Sequence, residues 1–248
     1  MARLAAPAAA GGDRRLRPGK TARDRMTLHI ALVGAESTGK SRLGVALLEH
    51  LRAQTRLRCV LIGEYLREWC EREGRTPRPD EQRAIAEEQW RRAESAATDH
   101  DLVLHDTTPL MTAVYSELLF QDSSLYPFAM QVQARMDATL LMALDLPWVA
   151  DDMRDGPHAQ QPTDRLLRRA LRDAGLGYSL VSGAGPERLQ QALNALGPLL
   201  RPHLGREDGL FGRLLQRGES LGGDWRCELC DDPGCEHASR LADRLPRA

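Results

Sequence analysis

The sequence predicts an α/β fold: a parallel five-stranded sheet with helices on both faces. Two patterns carry this. Short, continuous apolar runs recur along the chain, and longer amphipathic stretches separate them. A sheet covered on both faces needs strands that are apolar throughout, and parallel strands need crossover helices between them. The third observation is a glycine-rich segment directly after the first apolar run, which gives the sheet a chemical edge.

Met1 to about Arg25 is rich in Ala, Gly, Pro and Arg and has no continuous apolar core of signal-peptide length, so residues 1–26 are expected to form a disordered tail. Its composition is also compatible with a transit peptide, and Met26 is an alternative start. The first strand is expected at Leu28–Val33 and the second at Cys59–Ile62. A third is expected at Leu102–His105, a fourth at Leu140–Leu144 and a fifth at Gly177–Val181. Leu43, Leu47, Leu48 and Leu51 follow the first strand at helical spacing. Leu166, Ala170, Leu171 and Ala174 precede the fifth, and Leu189, Leu193, Leu196 and Leu200 follow it on one helical face.

Composition excludes several classes. The 248 residues are 42% hydrophobic and 28% charged, as in ordinary globular proteins. Apolar runs stop well short of the ~20 residues of a membrane span. The formal net charge of −1 gives no general attraction to nucleic acid. Five cysteines without a secretory signal point to a reducing, cytoplasmic setting.

Of 34 Lys and Arg residues only Lys20 and Lys40 are lysine. A lysine that persists against such a bias has a chemical reason to stay, because ammonium and guanidinium groups are not interchangeable. Lys40 lies in Gly34-Ala35-Glu36-Ser37-Thr38-Gly39-Lys40-Ser41, which fits the phosphate-binding pattern G-x-x-x-x-G-K-[ST]. Glycines let successive amides turn toward phosphate oxygens, and the next helix adds the positive end of its dipole. Lys40 is expected on the β and γ phosphates of ATP and the Ser41 hydroxyl on Mg2+, with Gly34, Glu36, Ser37, Thr38 and Gly39 completing the cradle.

No lysine remains for the N-K-x-D base-recognition motif of a Ras-like GTPase, and too little chain follows the fifth strand for the helical domain of an AAA+ motor. Five strands, a strand-end carboxylate and a late arginine loop match the layout of nucleoside and nucleotide kinases. Four segments, in order, sharpen this: Ile30 to Ser41, Gly63-Glu64-Tyr65-Leu66-Arg67-Glu68, His105-Asp106-Thr107-Thr108, and Asp145 to Asp155. Together they resemble the ribosylnicotinamide kinase domain of NadR and related small AAA-type P-loop ATPases, over about residues 27–200. The resemblance implies a nucleoside kinase such as a nicotinamide riboside kinase of NAD salvage. It does not extend to NadR's adenylyltransferase and DNA-binding domains. Asp152 departs from the family, which often has glycine there.

In this layout the third strand neighbours the P-loop strand, so Asp106 is the candidate magnesium-shell carboxylate. Glu64, at the end of the second strand, is the candidate general base toward the acceptor hydroxyl. Arg154, in a polar segment expected to act as a lid, is the candidate clamp on the transferring phosphoryl group. Arg67 and Glu68 are either substrate contacts or a solvated charged face. Tyr65 and Trp148 either stack a planar ring or pack in the core. The turn Ser182-Gly183-Ala184-Gly185-Pro186 either borders the adenine or is a plain connection.

Residues 201–248 differ in composition and contain Cys227, Cys230, Cys235 and His237 within eleven residues, a candidate structural zinc set. Cys59 and Cys70 read as buried small hydrophobes. The expected partners are ATP and a small nucleoside-like molecule, with no membrane and no general nucleic-acid binding. The rival reading is an ATP-binding regulatory protein without small-molecule kinase activity.

Overall fold

The computed structural model describes residues 27–149 and 157–203. Five strands, β1 (Leu28–Val33), β2 (Cys59–Ile62), β3 (Leu102–Asp106), β4 (Ala138–Met142) and β5 (Ser179–Val181), form one sheet in the order β2-β3-β1-β4-β5. Every pairing is parallel. The helices are α1 (Lys40–Gln54), α2 (Tyr65–Glu73), α3 (Gln82–Ala97), α4 (Pro109–Phe120), α5 (Tyr126–Gln133), α6 (Gln160–Asp173) and α7 (Gly185–Leu200).

Strand alternation sorts the core into two layers. Ile30 and Leu32 of β1, Leu102 and Leu104 of β3, and Leu140 and Met142 of β4 meet Leu43, Leu47 and Leu51 of α1 and Leu193, Leu196 and Leu200 of α7. The intervening Ala31, Val33 and Leu141 face Leu110, Met111 and Val114 of α4 and Leu167 and Leu171 of α6. Val103 packs with Trp90 of α3 and Val132 of α5 in a smaller cluster. The expected helical faces around Leu43 and Leu193 therefore cover the same side of the sheet.

Three strands differ at their boundaries from the sequence expectation, β3 only by running one residue further, to Asp106. β4 starts at Ala138 because the backbone N–H of His29 donates to Asp137 Oδ2 and that of Asp137 to the His29 carbonyl, both at 2.8 Å, fixing Ala138 opposite Ile30. Leu144, counted with this strand by its hydrophobicity, lies beyond it and is exposed. β5 begins at Ser179 rather than Gly177. It is an edge strand, with Leu180 half exposed. No helix among the described residues is long and apolar enough to cross a membrane.

The connection after β1 passes β3 to reach β2, whereas the connection after β3 passes β1 to reach β4, so the direction of winding reverses between β1 and β3. The crevice at the carboxyl ends of these two neighbouring strands is where such sheets bind ligands.

Candidate functional site

The loop from Gly34 to Gly39 leaves β1 with three positive φ angles, at Gly34 (152°), Ser37 (58°) and Gly39 (79°). Gly34 has a second constraint: a Cβ there would stand 2.9 Å from Met142 Cβ. Thr38 Oγ1 donates to the Ala35 carbonyl at 2.7 Å, closing the turn. Lys40 opens α1, and the first return bond runs from Leu43 N to the Gly39 carbonyl at 3.0 Å. The amides of this first turn consequently have no intrahelical acceptor and form an anion-binding terminus. Lys40 is buried, and its Nζ donates to the carbonyls of Gly34 at 2.8 Å and Ala35 at 2.9 Å. Its ammonium is thus held over the loop by the loop itself.

Two contacts join this loop to described residues on either side of residues 150–156. Ser37 Oγ accepts from Val149 N–H and donates to the Val149 carbonyl, each at 3.0 Å. Gln160 Nε2, at the start of α6, donates to the Glu36 carbonyl at 2.8 Å. Arg154 and Asp152 themselves lie outside the described residues, as do Cys227, Cys230, Cys235 and His237. Among the described residues no group of three or more His, Cys, Asp or Glu is placed to hold a metal ion.

A cavity of about 510 Å³ opens beside the loop. Residues 36–42 line it, and so do Glu64 and Arg67. Glu64 sits in the N-terminal position that starts α2, and its Oε2 is 4.0 Å from Arg67 Nε. Gln89 of α3 fixes the backbone on both sides of Glu64: its Nε2 donates to the Gly63 carbonyl at 3.1 Å and its Oε1 accepts from Tyr65 N–H at 2.7 Å. The structure therefore brings the P-loop, Glu64 and Arg67 together in one space. Sequence reasoning missed Gln89, whose position in an amphipathic helix gives no chemical signal.

Asp106 ends β3 opposite Leu32, two residues before Gly34. It is buried, does not line the cavity, and its Oδ1 has no hydrogen-bond partner. Next to it Thr107 takes a φ of 81°, costly for a β-branched residue, and its buried Oγ1 is also unpartnered. Orphaned oxygens at a strand end beside a P-loop are the donor set a hard cation takes. The unpartnered Asp106 oxygen has the chemistry that suits Mg2+, and Ser41 lines the cavity.

Other candidates have different places. Tyr65 lies under the Arg92 guanidinium, 4.2 Å from its ring centre, and does not line the cavity. Glu68 pairs with Arg92 at 2.6 Å and is exposed, the solvated alternative. Trp148 is half-buried and outside the cavity wall. The aromatic ring that does face the cavity is Tyr115 of α4. Cys59 and Cys70 are buried free thiols, and burial raises the pKa of both.

The turn before α7 is bonded to Asp145 and Arg188. Gly183 N–H donates to Asp145 Oδ2 at 2.6 Å, and Asp145 Oδ1 accepts from Arg188 Nη2. Arg188, 3% exposed, also donates to the Gly183 carbonyl and to the Thr38 carbonyl, both at 2.7 Å. One guanidinium therefore joins the P-loop, the end of β4 and the Ser182–Pro186 turn. In sequence it is one arginine among many.

These features define an α/β P-loop fold, with the sheet layout also found in nucleoside and nucleotide kinases. The family model of the AAA domain matches residues 29–188, and the chain belongs to that family. Among solved structures, a NadR protein in complex with NAD and AMP-PNP has the same fold, with a TM-score of 0.58 and 21% identity. The match covers 73% of this chain and 51% of that one. NadR in complex with NR gives 0.58 and 20%, over 74% and 52% of the two chains. Thymidylate kinase from Candida albicans gives 0.50 and 14%, over 71% and 92%. The chain thus spans about half the length of the NadR chains. No curated protein matches the sequence.

Proposed function

We propose that the protein is a Mg-ATP-dependent phosphotransferase that passes the γ-phosphoryl group to the hydroxymethyl of a nucleoside, nicotinamide riboside being the foremost candidate. Residues 27–200 would be the transferase unit, acting in the cytoplasm, and residues 201–248 an extension. The observation that carries this reading is the shared cavity, lined by residues 36–42 together with Glu64 and Arg67. A nucleotide sensor needs a phosphate loop but no carboxylate in the same cavity.

The P-loop amides and Lys40 bind and orient the phosphates. Ser41 and Asp106 would hold Mg2+, which when bound neutralises charge on the phosphates. Glu64, its backbone fixed by Gln89, orients the acceptor hydroxyl and accepts its proton. Arg154 is assigned to the transferring group because both roots of its segment, Val149 and Gln160, are hydrogen-bonded to the P-loop.

Purified protein incubated with γ-labelled ATP, Mg2+ and a nucleoside panel tests the proposal. Transfer to nicotinamide riboside or another nucleoside is the expected result. ATP binding with no transfer to any nucleoside would overturn it in favour of a regulatory ATP-binding protein.

A further inference from the structure

A chain of buried polar groups that the phosphotransfer reading leaves unused ends beside Asp106. Thr108 Oγ1 donates to Gln133 Oε1 at 2.8 Å, and Gln133 Nε2 donates to Thr139 Oγ1 at 2.9 Å. All three residues are buried, Gln133 being 2% exposed. Gln133 closes α5 and Thr139 lies in β4, so one carboxamide joins the end of β3 to β4, the two strands that flank β1. A core carboxamide must find its partners in place, which makes such a chain exacting about geometry.

The backbone it holds is strained. Thr108 is the residue from which α4 starts, yet its hydroxyl caps no amide of that helix. A threonine in that position ordinarily accepts from the first turn, and here the hydroxyl is given to Gln133 instead. Immediately before it, Thr107 holds a φ of 81°, which a β-branched residue keeps only where its surroundings impose it. Two bonds do so: Thr107 N–H donates to the Leu32 carbonyl at 3.1 Å on one side, and Thr108 is tied to Gln133 on the other. Asp106, with its unpartnered Oδ1, is the next residue back.

We propose that Gln133 is a positioning residue for the metal carboxylate: through Thr108 it keeps Thr107 in the left-handed conformation, and the turn so held sets how Asp106 leaves β3 to meet Mg2+. This assignment rests on the phosphotransfer reading, in which Asp106 and Ser41 share the ion, and adds the residue that keeps one of them in place.

Calorimetric titration with the non-hydrolysable ATP analogue AMP-PNP, once in excess Mg2+ and once in EDTA, gives the factor by which the metal tightens nucleotide binding. Gln133→Met and Thr108→Val, both close in shape to the parent residues, are expected to cut that factor about tenfold, the scale of losing a group that orients a metal ligand, with affinity in EDTA unchanged. Thr108→Ser keeps the hydroxyl and should keep the factor. Leu171→Ala, in the core on the same side of the sheet, opens a cavity that lowers the melting temperature and should leave the factor whole, which separates positioning from general loss of stability. A parental factor in either Gln133→Met or Thr108→Val, or a fall as large in Thr108→Ser or Leu171→Ala, overturns the role of Gln133 while metal binding at Asp106 stands. If Mg2+ does not tighten AMP-PNP binding in the parent, the assignment of the ion to Asp106 falls and this proposal falls with it.

Discussion

Arg188 Nη1 donates to the Thr38 carbonyl at 2.7 Å, across 150 residues of chain. The same guanidinium is paired with Asp145 and bonded to the Gly183 carbonyl, so the geometry of the phosphate loop depends on a side chain of the last helix. Arg188→Ala leaves those carbonyls without this donor and strips Asp145 of its ion pair, with the Gly183 N–H bond remaining. The expected loss is ~3 kcal/mol of stability, with weaker ATP binding and an unchanged KM for the acceptor in the folded fraction. Urea unfolding and calorimetric titration with ATP measure the two effects. Unaltered ATP affinity would show that Arg188 serves packing alone.

Lys40→Ala is expected to reduce phosphoryl transfer by at least ~10²-fold, the scale of removing one preorganised cationic or hydrogen-bonding group from a developing charge. Lys40 is buried and bonded to two carbonyls, so a small fall in melting temperature should accompany the loss. Single-turnover transfer alongside a thermal melt separates the contributions. Transfer at the parental rate would refute the P-loop assignment.

Glu64→Gln keeps the shape of the side chain and removes its basicity. The expected result is a chemical step slower by about 10²–10⁴-fold with ATP binding intact. Gln89→Leu should act in the same direction but more weakly, because it frees the backbone around Glu64 without removing the carboxylate. Equal single-turnover rates for Glu64→Gln and the parent would exclude proton transfer at this position.

Stability should fall on mild acidification. Burial and the neighbouring His29 lower the His105 pKa to about 3, and burial lowers that of His29 as well. The two imidazoles are bonded, Nδ1 of His29 to Nε2 of His105, at 3.0 Å beside Trp90. A histidine whose folded pKa lies below its unfolded value of 6.5 gives its full stability above pH 6.5, and that stability drains as pH falls toward the folded pKa. Glu81 and Glu88, lowered to about 2 by their arginine partners, lose their contribution only below pH 4.5. Between pH 6.5 and 4.5 the histidine pair therefore leads, at about 1.4 kcal/mol per unit for a site that must take up a proton on unfolding. Melting curves across this range should show the decline, and His105→Leu should flatten it. An unchanged slope in the variant would place the effect elsewhere.

The sheet, its parallel sense and the phosphate loop were legible because each leaves a local signature: unbroken apolar runs, helical periods, and a glycine spacing that few other structures need. Asp106 and Glu64 were legible as carboxylates at strand ends. Gln89, Gln133 and Arg188 were not. Two are ordinary helix formers and the third is one of many arginines, and what sets them apart is burial and the groups they meet, which come from distant parts of the chain. Tyr65, open in the sequence between stacking a ring and packing in the core, is similar, since a ring beside a strand end gives no sign that Arg92 will cover it. The start of β4 was placed too late because hydrophobicity marks the core and not the ladder, which here is set by the polar Asp137.

Met142 lies beneath Gly34 and its sulfur is 3.7 Å from Arg188 Nη1, so the nucleotide cradle stands on a core side chain with no spacer between them. Affinity and fold then share one foundation. A bulkier residue at 142 would push on the phosphate loop, and a smaller one would let it sag. Either change would reach ATP binding while the rest of the sheet still held, so Met142 is a poor place to seek stability by engineering and a sensitive place to tune nucleotide affinity from inside the molecule.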